Sequence, residues 1–385
     1  MSVLARHEEH ARSDRHALLY PAGSRYRLEI VGPEGRLAID GPPTPAAPPR
    51  DSPRPPPLAE PRVLDAVRWA AGRLGSEVLH VENLGGLPPE SLLELDRTAL
   101  RLVVSLHDFA AFCPRPHLIE EPHGTFCGYC RDLARCHRCL AATWDVPGGY
   151  QAERRQASGA LLAVADRLVF PSEFLRRKIN DLFVGLDSAR QLVIPPAIPL
   201  STPEEAPSGP PRRVAFVGGA RRHKGGALLG DVVSRFRSEH RKPERWWVLG
   251  PGDPSILLRL RDLGVGVRGY YRAGSLPRLL SDLQIDLAVL ASTSPESYSL
   301  TLSECWAARR PVIAFDVGAV GERIRAGGGT PVPPSAGAEG LACAIRHALE
   351  TAPPRPEPSG LPSPIDVADS HRRLYDEVVR PPCLR

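Results

Sequence analysis

Apolar residues along the chain fall into short runs separated either by turn residues or by stretches with helical spacing. In the first half, HALLY and RYRLEIVG with RLAI read as strands joined by turns. A helix is expected near Val63 to Leu74, a buried strand in SEVLHVENLGG, a helix near Ser91 to Leu95 and a strand in RLVVSLHD. A helix around Ala152 to Ala165 then runs into DRLVFPSEFLRRKI, and QLVIPPAIP closes this half. The second half alternates more regularly: strand RVAFVGG, helix GALLGDVVSRF, strand WWVLG, helix SILLRLRDLG, strand VRGYY, helix LPRLLSDL and strand IDLAVLAS. A helix from about Leu300 to Arg310 and the buried run PVIAF follow. Such alternation predicts an α/β fold with a parallel sheet covered by helices on both faces.

Proline-rich tracts punctuate this pattern. Gly41 to Pro61 reads as an extended, solvated, polyproline-like segment. Residues 201–212, STPEEAPSGPPR, form the best domain boundary. The expected organisation is a first domain over 1–200, this linker, a second domain over 213–350, and a proline-rich 351–385 ending in the helix VADSHRRLYDEVV. A chain of 385 residues, 42% hydrophobic, can build two cores. The excess of 49 basic over 44 acidic residues is too mild and too dispersed to indicate nucleic acid. It suits anionic substrates or a loose peripheral hold on an anionic membrane surface. No apolar run approaches the roughly 18 residues of a membrane span, and the start lacks the apolar core of a signal peptide, so a cytoplasmic protein is expected.

The chemistry concentrates between Ile285 and Ile324. Ligands of open α/β sheets sit at the carboxyl ends of the strands, which is where the polar residues fall here. Unpaired N–H groups at a helix start near Ser299 and Thr301, with the positive end of the helix dipole, make a seat for an anion such as a diphosphate. One turn deeper, Glu304 can accept two hydrogen bonds, as a ribose diol requires. Taken alone, either glutamate, Glu296 or Glu304, reads better as a surface carboxylate on an ordinary capped helix.

Taken together, Glu296-x7-Glu304, Pro311-Val312-Ile313 and Asp316-Val317-Gly318-Ala319-Val320-Gly321-Glu322 resemble the signature of glycosyltransferase family 4, retaining enzymes of the two-domain GT-B architecture. The resemblance implies two Rossmann-like domains around a cleft, with a terminal helix packing back on the first. It implies a nucleotide-sugar donor held by the second domain and a saccharide or lipid-linked acceptor held by the first. Glu304 would hold the ribose, and Glu296 with Ser297, Ser299, Leu300 and Thr301 would face donor sugar and diphosphate. The segment Gly218-Gly219-Ala220-Arg221-Arg222-His223-Lys224-Gly225 resembles the family's phosphate-binding turn, in which an arginine and a lysine hold the diphosphate. Lys224 aligns directly. Gly219 stands where the arginine often does, leaving Arg221 or Arg222 as its substitute. Gly250, in VLGPGD, would lie near the base, and Asn83 could line the cleft; a tight turn explains either equally well.

The resemblance makes His107, ending the strand RLVVSL, the candidate counterpart of a family histidine close to the donor sugar; the alternative is a histidine that only caps a loop through its neighbour Asp108. Ser172 and Glu173 match a family turn in which capping is the expected role. The absence of Asp-x-Asp agrees with a metal-independent reaction needing no cofactor. Members of the family usually begin with a strand and a glycine-rich loop. Here the start resembles the end of the following helix, so a lost opening strand, with impaired stability or activity, is expected. The displaced arginine and that start favour a catalytically impaired nucleotide-sugar-binding paralogue as a second reading, and a sugar-nucleotide epimerase of similar fold is a third.

Five of eight cysteines lie within 27 residues, four of them as Cys127-x2-Cys130-x5-Cys136-x2-Cys139 with Cys113 upstream. Paired CxxC units suit a structural zinc, each chelating one edge of a tetrahedron. Reduced thiols packing as small hydrophobes are the alternative.

Overall fold

The computed structural model describes residues 16–45, 54–198, 210–237, 239, 242–272, 274–357 and 360–379. It divides into two compact units, one holding 16–123, 127–196 and 364–379, the other the described residues of 124–126, 197–198 and 210–363. The segments 1–15 and 201–209, on which the lost opening strand and most of the linker bear, lie outside the described residues, as does Cys383.

The first unit opens with β1 (His16–Ala22), β2 (Arg25–Gly32) and β3 (Gly35–Pro43). These do not join a parallel sheet, as the Rossmann-like expectation implied. They form their own antiparallel meander, Leu19 opposite Leu28 and Leu28 opposite Ile39. Tight turns at Gly23 and Gly35, both at positive φ, leave the strands no room for a parallel crossover. Tyr26, Leu28 and Val31 turn inward. The tract from Gly41 is not wholly solvated: Gly41 packs on the Trp69 ring, and Thr44 is buried with its hydroxyl donating to Gly23 O at 3.1 Å. Residues 46–53 of that tract are outside the described residues. Helix α1 (Pro61–Leu74) follows, with proline in its first turn and Gly75 in the left-handed conformation at its end.

The parallel sheet of this unit runs β4 (Val78–Val81), β5 (Arg101–Ser105), β8 (Arg167–Phe170), β9 (Gln191–Val193) in that spatial order. Its centre, Leu102 to Val104, is fully buried. A 3-10 turn at Pro89–Leu92 replaces the helix expected at Ser91 to Leu95. Between β5 and β8 lie the hairpin β6 (Ile119–Glu120) and β7 (Thr125–Phe126), α2 (Leu133–Ala141) and α3 (Tyr150–Val164). Helix α4 is Glu173–Leu182. The last helix, α11 (Pro364–Val379), lays Leu374 and Val378 on Val103 and Val169.

The second unit is a six-stranded parallel sheet in the order β12-β11-β10-β13-β14-β15. Its strands are β10 (Arg213–Val217), β11 (Arg245–Leu249), β12 (Gly266–Arg268), β13 (Leu287–Leu290), β14 (Val312–Phe315) and β15 (Thr330–Val332). Alternation along each strand supplies both cores. Val214, Phe216, Leu287 and Val289 pack under α5 (Gly226–Arg235), α6 (Pro254–Asp262) and α10 (Gly337–Thr351). Ala215, Val217, Ala288 and Leu290 pack under α7 (Leu276–Asp282), α8 (Leu300–Ala307) and α9 (Gly318–Gly327). The chain travels outward one way from β10 through β12, then the other way from β13 through β15. The reversal lies between β10 and β13, so the loops leaving their carboxyl ends flank one crevice.

Two details depart from expectation. Helix α8 ends at Ala307, not Arg310, because Arg309 turns left-handed at φ 54°. Asp316 to Glu322, which by sequence reads as the loop leaving the strand PVIAF, is not one loop: helix α9 begins at Gly318. Phe216 stacks on Trp246 with ring centroids 5.6 Å apart in the middle of the sheet. Phe216→Ala is therefore expected to cost about 3–5 kcal/mol in urea unfolding, whereas Leu258→Ala, 58% exposed, should stay within about 0.5 kcal/mol.

Candidate functional site

The loop after β10 is built from close backbone packing. Gly218 and Gly219, at φ 98° and 91°, both donate their N–H to Leu249 O. A Cβ on Gly219 would stand 2.1 Å from the Pro251 carbonyl oxygen, so no side chain fits there. No arginine could therefore stand at that position. Gly250, at φ 116°, presses on Gly219 from the neighbouring strand end, where a Cβ would lie 2.8 Å from its nitrogen. Gly250 is thus part of a structural turn. Arg222–Lys224 forms a 3-10 turn closed by Gly225. Arg221 reaches the Tyr270 hydroxyl at 3.3 Å, and the Arg222 amide donates to Asp253 Oδ2 at 3.2 Å.

Lys224 points to the second loop. Its Nζ donates to Glu296 Oε1 at 2.7 Å, with the two side chains 28% and 18% exposed. The hydroxyls of Ser292 and Ser294 both donate to His223 O, at 3.2 and 3.3 Å, fastening the two loops together. Burial would raise the Glu296 pKa, but the Lys224 ammonium and the Ser299 and Ser292 hydroxyls outweigh it and hold the carboxyl below its ordinary value.

Ser299 is left-handed, φ 74° and ψ 89°, and its hydroxyl accepts from Leu302 N at 3.4 Å, capping α8. Leu300 and Thr301 form the first turn, and half-buried Ser297 lies in the loop ahead of it. Glu304, 7% exposed, accepts from Gly274 N at 2.8 Å. Burial raises its pKa, against the pull of the Gly274 and Leu276 amides. A chain of contacts therefore joins Lys224 through Glu296 and Ser299 to the helix that carries Glu304.

One residue escaped the sequence reading. Arg323 of α9 donates from Nη1 to Tyr298 O and Ser299 O, at 2.8 and 2.9 Å, and from Nη2 to Ser303 Oγ at 2.7 Å. Its guanidinium lies over Tyr298, 3.9 Å from the ring centre, and near Trp306. The signal was its spacing, since it shares a helical face with buried Ala319 and Val320, four and three residues before it. Gly318 also supports the loop, because a Cβ there would lie 2.8 Å from Glu296 N.

In the first unit, His107 Nε2 lies 3.4 Å from Glu82 Oε2, with its side chain 39% exposed. Glu82 also meets His80, whose ring contacts the Tyr375 and Ser105 hydroxyls at 2.7 and 2.8 Å. Asp108 caps its own loop through Ala110 N, and Asn83 accepts from Gly85 N within a tight turn. Ser172 caps α4, and Glu173 pairs with Arg176, so both serve the helix. Cys113, Cys127, Cys130, Cys136 and Cys139 line one small cavity of about 20 Å³. Arg155 donates to Cys136 Sγ at 3.4 Å and Glu121 N to Cys139 Sγ at 3.3 Å. Burial pushes Cys113 up to about 12, with neighbouring thiols adding to the shift. As placed, no three His, Cys, Asp or Glu side chains among the described residues converge to hold a metal ion.

Residues 211–351 match the family described as group 1 glycosyl transferases. The whole fold is similar to GT-B glycosyltransferases of known structure. Sucrose-phosphate synthase from Thermosynechococcus elongatus superposes with TM-score 0.58 at 17% identity, covering 82% of this chain and 77% of that one. HepE from Anabaena, solved with UDP, gives 0.53 at 14% identity over 83% and 78%. TarM gives 0.53 at 13% identity over 94% and 72%. No curated protein matches the chain.

Because Glu296 sits below the usual 4.5, its ion pair adds stability above the unfolded-state pKa and loses it as pH falls through the folded one. The melting temperature of the wild type should therefore fall more steeply below about pH 4.5 than that of Glu296→Gln, as thermal melts across acid pH will show.

Proposed function

We propose that this protein is a retaining glycosyltransferase that moves a sugar from a nucleotide-sugar donor to a saccharide or lipid-linked acceptor without a divalent metal. The observation that carries the reading is the linked trio of Lys224, the amino end of α8 and buried Glu304 at the strand-order reversal of a domain matching group 1 glycosyl transferases. In this reading the diphosphate takes the helix start and Lys224. The lysine then opposes the charge that grows on the leaving phosphate. Glu296, its present partner, turns to the donor sugar, and Glu304 exchanges Gly274 N for the ribose hydroxyls. Arg221 and Arg222 flank the phosphate turn and supply further positive charge. His107, its imidazole oriented by Glu82, is assigned to the transfer step. The leaving phosphate assists deprotonation of the acceptor, which explains why no separate carboxylate base is needed.

The product is proposed to be a cell-surface polysaccharide or glycolipid made at the cytoplasmic face of a membrane. No described helix is long and apolar enough to cross one, and the mild positive charge suits peripheral contact. For the cysteine cavity we propose a structural zinc on Cys127, Cys130, Cys136 and Cys139. The donor set is chemically apt, and N–H groups already address two of the sulfurs. Elemental analysis of the purified protein should find about one zinc per chain. Folded, active protein free of zinc would refute that assignment.

A nucleotide-sugar panel read by thermal shift and product mass tests the main reading. UDP-sugars come first, since HepE binds UDP. Glu304→Ala and Lys224→Ala should each weaken nucleotide binding by roughly tenfold to a hundredfold, the worth of a hydrogen bond to a charged group. Because Glu304 titrates above the ordinary 4.5 and must be ionised to accept, binding should weaken on the acid side at a pH above that value. Binding without transfer would leave only a nucleotide-sugar-binding module, and an epimerised nucleotide sugar would identify an epimerase.

A further inference from the structure

We infer that Arg323 is a positioning residue that presets the diphosphate seat by holding the loop before α8 from beneath; this rests on the nucleotide-binding reading above. A trans peptide is planar, with its C=O and the following N–H on opposite edges. Arg323 draws the carbonyls of Tyr298 and Ser299 toward α9. The N–H groups of Ser299 and Leu300 must then point the other way. Ala319 N does the same two residues before Tyr298, donating to Glu296 O at 2.9 Å, which turns the Ser297 amide outward. Helix α9 thus grips the acceptor side of three peptides and leaves their donor sides on the opposite face, the arrangement an anion needs.

A merely structural role explains less. Even half-burying a guanidinium against aromatic rings is costly, and a leucine would fill the same helix face more cheaply. The cost is offset by three hydrogen bonds and by the Tyr298 and Trp306 rings. All three hydrogen bonds go to the 298–303 stretch, and two of them end on its carbonyls. They also restrain Ser299, a non-glycine residue at φ 74° that would otherwise relax out of the left-handed region. Charge adds to the effect: Lys224 and Arg323 both interact with the loop that carries Glu296.

The split between nucleoside and nucleoside diphosphate distinguishes positioning from bulk stability. Calorimetric titration of the full chain with uridine and with UDP (or the nucleoside and diphosphate of whichever base the panel selects) provides it. Arg323→Met should weaken diphosphate binding about tenfold or more, while nucleoside binding, held through Glu304, stays unchanged. Arg323→Lys, which keeps the charge but not the forked geometry, should fall between. Should Arg323→Met fail to fold, Arg323→Lys and Ser303→Ala, which removes one of the three bonds, must still show a smaller loss confined to the diphosphate. Equal losses for both ligands, or no loss for either, would overturn the inference. Wild-type protein that binds no nucleoside diphosphate would instead overturn the nucleotide reading, and this one with it.

Discussion

The 2.7 Å pair of Lys224 and Glu296 ties the loop leaving β10 to the loop leaving β13 at the place where the strand order reverses. Both loops must come close for this to happen. Gly225 allows it, at φ 72°, because a Cβ there would lie 1.9 Å from the Ala291 carbonyl oxygen. Serine hydroxyls from 292 and 294 close the same gap on His223 O. The position of Lys224 is therefore set by backbone approach and shared hydrogen bonds, not by the reach of a flexible side chain.

Around that pair the charges are ordered by depth. Glu304 is buried behind the first turn of α8 and held by the Gly274 amide, so its carboxylate is desolvated and directional. Arg323 lies beneath the loop and spends its donors on main-chain carbonyls and Ser303. Lys224 and Glu296 are partly exposed and already paired, so an arriving anion exchanges one partner for another without having to organise the site. Sheet, loops and helix starts together form a rigid frame with few mobile charges.

Much of the second unit was legible because buried parallel strands read as continuous apolar runs, as RVAFV and LAVL do. Glu296, Glu304 and Lys224 were singled out through their resemblance to a family signature, and the structure brings Lys224 onto Glu296. The boundaries were not: the left-handed turn at Arg309 and the helix start at Gly318 depend on tertiary approach. Glycines 318 and 321 look like loop residues, yet each is small because Glu296 N or Asp316 Oδ1 occupies the space of its Cβ. The first unit was read less well. Its opening strands were visible in RYRLEIVG, but their pairing as an antiparallel meander follows from the turns at 23 and 35. Helix α2, capped by Asp132, was hidden beneath the cysteine spacing. Arg323 was missed because a charged residue within a short helix reads as solvent-facing unless its helical face is checked.

The most direct measurement is a crystal structure with the nucleoside diphosphate that binds tightest. The result expected is the diphosphate at the amino end of α8 within hydrogen-bond reach of Lys224 Nζ, with both oxygens of Glu304 on the ribose diol. Nucleotide bound elsewhere on the chain, or a Glu304 that still meets only the Gly274 and Leu276 amides while the nucleotide is in place, would contradict it.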